Sequence, residues 1–410
     1  MTGAETWAAD LAGGALIVLT SRSVARTLLM PGSRAGLLLR WIDDATDRIF
    51  RGIAHFVEGH ERRSRFRAVH APLILATQLW TWLALYGLAF ALLLWPVLHG
   101  FGAALRESGS SLLTMGFAAS RGGPATTLDL AAGATGLIVI ALQIAYLPTL
   151  YTAFNRREAE VTLLAVRAGS PAWGPELLAR AQLMGGLPEL PALYATWERW
   201  AAELSESHSS YPVLMRFQSP RPLTSWLIAL LATLDAAALQ AAISGEVALQ
   251  ARLFLRMGFG CLQQLASTVG IPYNPDPRPD DGIRLTREEF DVGIARMQAY
   301  GYPINRPVDE VWVHFQGWRV NYESIVYALA YGIDAPPSLW SGPRRYPTDP
   351  IPPVRLLDRT PDDPDGARRV PWGGSLKDTR ARTPRAAVRE VERAEQRADE
   401  PAETGGPAAE

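Results

Sequence analysis

Two stretches without a single Asp, Glu, Lys or Arg, residues 71–105 and 130–155, dominate the polarity pattern of this chain. Each exceeds the ~20 apolar residues that carry an α-helix across a bilayer. Spans are therefore predicted at about 72–98 and 129–154. A weaker apolar run, Gly13-Gly14-Ala15-Leu16-Ile17-Val18-Leu19, belongs to a predicted helix over about 8–29. Its Arg22 and Arg26 can snorkel to an interface. A secretory leader puts its basic region before the apolar one; here the order is reversed, so a first membrane helix within 1–34 is expected. Over 35–70, Leu38, Trp41, Ile42, Ala45, Ile49, Ile53 and Phe56 recur every three or four residues, the spacing of an amphipathic juxtamembrane helix.

Beyond the third run the period stays helical to about Val166 and ends at Gly169-Ser170-Pro171. Further helices are predicted over Trp173–Gly185, Leu190–Ser207, Leu223–Ile243, Glu246–Val269, Thr286–Tyr300 and Asp309–Tyr331, separated mostly by Gly, Pro and Ser. No run alternates like a strand. Leu223–Ile243 is long enough to cross a membrane, with Asp235 as its only charge, but a helix apolar on every side also suits a protein core. We assign it to the core, since a lone fourth span would put the rest of that domain on the other side. From Pro343 onward, prolines and mixed charges cannot bury a core, and a disordered tail is expected over 342–410. The fold class is thus all-α: a membrane module over 71–157, then a cytoplasmic all-helical domain over 158–341 and the tail.

Charge orients this arrangement. Arg62, Arg63, Arg65 and Arg67 precede the second span and Arg156 and Arg157 follow the third, while the intervening loop carries Arg106 and Arg121. The positive-inside bias puts that loop outside and residues 155–410 in the cytoplasm of a multi-pass plasma-membrane protein. The formal net charge of −1 argues against a nucleic-acid partner. Lys377 is the one lysine among 40 basic residues, a compositional bias without chemical meaning. Cys261, the single cysteine, excludes an intrachain disulfide and reads as a small core residue. His55, Glu58 and His60 lack the spacing that puts both imidazoles on one helix face, and His208 and His314 read as ordinary helix residues. No phosphate-binding glycine loop, zinc spacing or nucleophile elbow occurs, so no cofactor and no enzymatic activity are expected.

Candidate chemistry concentrates between the second and third spans. Phe101–Leu113 is predicted as a half-helix whose C-terminus, with its partial negative charge, favours a cation. Thr114-Met115-Gly116-Phe117-Ala118 follows, offering a hydroxyl and successive carbonyls in place of a hydration shell. Non-helical backbone survives at bilayer depth only when buried in protein or lining a water-filled cavity.

On these residues the chain resembles the pore-loop potassium channel superfamily, in its bacterial form of two helices around a loop. The family signature Thr-Val-Gly-Tyr-Gly is matched at Thr114 and Gly116 and by the aromatic Phe117; Met115 stands for the valine, Ala118 for the second glycine, and Ala119 for a frequent acidic residue. The resemblance spans about residues 71–155. It implies a tetramer whose four loops form a filter of Thr114, Met115, Gly116, Phe117 and Ala118 for potassium or another monovalent cation, with residues 130–154 lining the inner pore. Gly133 and Gly136 give that helix a small-residue face suited to tight packing or to hinging. The other reading of the same pattern is a non-conducting membrane-anchored scaffold or sensor whose helical domain binds a partner.

Overall fold

The computed structural model describes residues 3–30, 68–118, 122–344 apart from Pro222 and Glu246, 349–354, and scattered positions at 45–66 and 361–362. The described residues fold as helices and contain no strand, and they form two compact units that part between Ala153 and Phe154, with Phe66 and Ala68 grouped in the second. Most of the amphipathic segment expected at 35–70, with His55, Glu58 and His60, lies outside them, as does Ala119.

The first unit contains α1 (Gly3–Leu28), α2 (His70–Leu98), α3 (Phe101–Leu112) and the first part of α4 (Gly123–Ala168). Helix α1 lies antiparallel on α2. A Cβ at Gly13 would sit 2.9 Å from the Ala89 carbonyl oxygen, Ser21 Oγ lies 2.8 Å from Tyr86 Oη, and Trp82 Nε1 donates to Ser23 Oγ at 3.2 Å. These hydroxyl contacts settle polar groups that lipid could not. His99, in the left-handed conformation with its amide on Trp95 O, ends α2 and turns the chain. Helix α3 then runs back along α2: Ala104 packs with Ala91 and Leu94, and Ser108 Oγ donates to Gly87 O at 2.7 Å. With 12 residues α3 is about 18 Å long, well short of a ~30 Å hydrocarbon core.

The second unit, from Phe154 onward, comprises the end of α4, α5 (Gly174–Leu183), α6 (Leu190–Ser210), α7 (Trp226–Ser244), α8 (Leu249–Val269), α9 (Arg287–Ala299), α10 (Val308–Arg319) and α11 (Glu323–Gly332). Among the described residues, α1, α2, α4 and α7 are long and apolar enough to cross a membrane, the mark of a membrane protein. Helix α7 differs from the other three in being enclosed by protein. Leu227, Leu230, Leu234 and Leu239 are fully buried among residues of its neighbours, such as Trp197, Phe254, Leu262 and Phe315.

Asp235, the one charge of α7, meets the fully buried Arg319. Arg319 Nη1 donates to Asp235 at 2.7 Å, Nε to Glu323 at 2.9 Å, and Nη2 to Trp340 O at 2.6 Å and Tyr327 Oη at 3.0 Å. Every nitrogen of the guanidinium is thereby engaged, as an unscreened charge requires. Burial opposes that charge, yet the Asp235 and Glu323 carboxylates hold the Arg319 pKa well above its ordinary value.

Two expectations change in this unit. The helix predicted over Asp309–Tyr331 is two helices. Asn321 Nδ2 donates to Gly317 O and Trp318 O, closing α10, and Tyr322 leaves the helical conformation to place its hydroxyl on Asp235 at 2.7 Å. Residues 349–354, assigned by sequence to a disordered tail, lie against the unit. Ile351 is buried with Leu223, and Val354 N donates to Ser170 O at 2.9 Å. Their hydrophobic contacts are too few and too local to register in composition.

Candidate functional site

The loop residues singled out in the sequence are held by the end of α3. Leu112 fills a cluster with Tyr86, Phe90 and Val139, fixing the C-terminal turn of α3. A Cβ at Gly136 would collide with the Leu112 carbonyl oxygen, and one at Gly133 would press on Ser111 O at 3.2 Å. The small-residue face of α4 is therefore a seat for α3, and packing accounts for both glycines. Ser111 Oγ donates to Asp129 Oδ1 at 2.9 Å across the same seam.

From that seat the chain climbs back along α3. The amides of Thr114 and Met115 donate to Ser111 O and Ser110 O at 3.0 and 2.9 Å. Four residues on, Ser110 Oγ both accepts from Ala118 N at 3.0 Å and donates to Ala118 O at 3.1 Å. The Phe117 ring lies 5.7 Å below the Arg106 guanidinium, one turn further toward the start of α3. Thr114, Met115, Gly116 and Phe117 are exposed over this climb.

The backbone between these anchors alternates in hand. Thr114 has φ +54° and Gly116 φ +67°, while Met115 and Phe117 keep negative φ. Alternation of this kind gathers successive amides on one side of the chain and successive carbonyls on the other. The amides of Thr114, Met115 and Ala118 donate to α3, and among the described residues no donor reaches the carbonyl oxygens of residues 114–117. Gly116 adopts its conformation freely. Thr114, being β-branched, does so at a cost on the order of 1–3 kcal/mol. The structure thus brings all five sequence-predicted residues into one ledge, with Ala118 as its pinned end. Sequence reasoning passed over Ser110, whose hydroxyl makes the pin, because a helix-to-loop bond eight residues long leaves no periodic trace.

Among the described residues the second unit offers no competing site of comparable definition. An open groove of about 480 Å³ is lined by Arg156, Glu160, Arg199, Trp200 and Glu203. Its charges alternate in sign, and Arg156 pairs with Glu203 at 3.1 Å on an exposed surface, so it selects no ligand charge. Cys261 is buried, and burial pushes its thiol up to about 12, which removes it as a nucleophile. His208 is buried with Nε2 3.0 Å from Arg157 Nη1; since a guanidinium only donates, the imidazole is the acceptor and is neutral. Burial, then the Arg157 charge, lowers the His208 pKa well below the usual value. The remaining Arg157 donors go to Leu214 O, Phe217 O and Glu158, a satisfied structural knot.

Comparison with family models, with curated proteins and with solved structures gives no match.

Proposed function

We propose that this chain assembles as an oligomeric, ion-conducting pore in a cell membrane, with the 114–118 ledge as its constriction and the second unit on the cytoplasmic side. The observation that carries the reading is the ledge itself: the amides of Thr114, Met115 and Ala118 bonded to α3, carbonyls of residues 114–117 that meet no donor among the described residues, and a β-branched residue held at positive φ. Rows of free carbonyls are what a dehydrating cation needs, and the left-handed Thr114 that opens the row also caps α3, its amide and that of Met115 closing on Ser111 O and Ser110 O. The fold-back of α3 along α2 supplies the support such a loop requires at bilayer depth. By its resemblance to the pore-loop potassium channels, potassium or another monovalent cation is the permeant ion and four copies surround it.

Self-association finds support on α4. Leu130, Leu137, Ile144 and Tyr151 recur every seven residues and stay exposed, a stripe that suits a neighbouring helix. In a single copy the ledge faces open space; copies around an axis would close it.

Reconstitution into liposomes with a potassium-flux readout tests the reading. Wild-type protein is expected to pass ions, and Gly116→Val to insert normally but pass none. Space is not the obstacle at Gly116, where an added Cβ meets nothing; the left-handed backbone is, and valine tolerates it least. Wild-type protein that stays silent across voltage, pH and calcium would leave the non-conducting scaffold as the better reading.

A further inference from the structure

The ledge has a neighbour that its resemblance to potassium channels does not account for. Arg106 is exposed on α3, with its guanidinium over the Phe117 ring at 5.7 Å. Among the described residues no carboxylate pairs with it. The adjacent Glu107 is buried, and Asp129 is engaged by Ser111. Nor does the rest of the loop balance the charge, since the only other ionisable residue between Glu107 and Asp129 is Arg121. A fixed positive charge therefore stands at the end of the ledge marked by Ala118, the end opposite the α3 C-terminus.

We infer that Arg106 sets an electrostatic barrier to cations at the mouth of the constriction, so that conduction is limited by ionic strength as well as by the ledge. This rests on the pore reading above. A unit charge felt across ~10 Å of water changes the local concentration of a monovalent ion by roughly a factor of two, and each copy around an axis multiplies the effect. Salt screens it. The Debye length is ~30 Å at 0.01 M and ~3 Å at 1 M, so the barrier is strong in dilute salt and nearly absent in concentrated salt. The Phe117 ring gives the guanidinium a defined place at the mouth, because an aromatic face attracts a cation.

The test is potassium conductance of full-length protein in planar bilayers at 10 mM and at 1 M KCl. Arg106→Gln should raise conductance about threefold or more at 10 mM and leave it nearly unchanged at 1 M. Arg106→Lys, which keeps the charge, should behave as wild type at both. A conducting wild type that Arg106→Gln matches at 10 mM overturns this inference and leaves the pore intact. A wild type that conducts at neither salt concentration overturns both.

Discussion

Replacing Asp235 with alanine strands the most completely buried charge in the second unit. Arg319 would keep Glu323, Tyr327 and the Trp340 carbonyl but lose both carboxylate oxygens from Nη1, and the Tyr322 hydroxyl would lose its acceptor. Removing one partner of a buried pair costs about 3–5 kcal/mol, and an orphaned buried hydroxyl about 1–3 kcal/mol. The two share one network and do not add in full, so a loss of about 4 kcal/mol is expected. Against a total of roughly 5–15 kcal/mol, that is enough to compromise the unit. Denaturation of full-length protein in detergent micelles, followed by near-ultraviolet circular dichroism, measures it; the buried Trp173, Trp226 and Trp340 report on this core. The companion variant Asp235→Asn keeps an acceptor oxygen for Arg319 Nη1 and the Tyr322 hydroxyl, and should lose less than Asp235→Ala. Asp235→Ala within ~1 kcal/mol of wild type would refute the argument, as would an Asp235→Asn variant less stable than Asp235→Ala.

Two other expectations follow from buried contacts. His208 binds its proton less readily in the fold than in the unfolded chain, so its contribution is fully present above pH ~6.5 and is lost as pH falls below that, at up to ~1.4 kcal/mol per pH unit; denaturation midpoints across pH 4.5–8 (on the order of the window set by that pKa) should show the slope in wild type and a flatter one in His208→Gln. Gly136→Leu drives a side chain into the Leu112 carbonyl and should unseat α3, read as faster hydrogen exchange over residues 108–118 while α1 and α2 stay protected.

Much of the first unit was legible because membrane helices announce themselves by length and composition. Phe101–Leu113 was foreseen and Phe101–Leu112 is found, since Gly100 and the αL turn at His99 mark its start. The choice between hinge and packing at Gly133 and Gly136 was not legible; it depended on which backbone approached them. The Ser110 pin escaped for a similar reason, as did the left-handed backbone of Thr114, a residue whose type argues for an extended conformation. In the second unit, the burial of α7 was read correctly from its all-round apolarity. Its pairing with Arg319 was invisible, because 84 residues separate the partners and no local pattern links them. The break at Asn321 was missed because apolar periodicity runs straight through it.

That separation in sequence has a consequence for biosynthesis. Helix α7 is made before the arginine that neutralises it. At ~5–20 residues per second, roughly 4–17 s pass between synthesis of Asp235 and synthesis of Arg319. During that interval the nascent chain presents the insertion machinery with an apolar helix of spanning length. An aspartate at the centre of such a helix raises the cost of partitioning into lipid by about 2.5–3.5 kcal/mol. We expect the same carboxylate that later anchors Arg319 to weigh first against insertion of α7, until α8, α10 and α11 exist to enclose it.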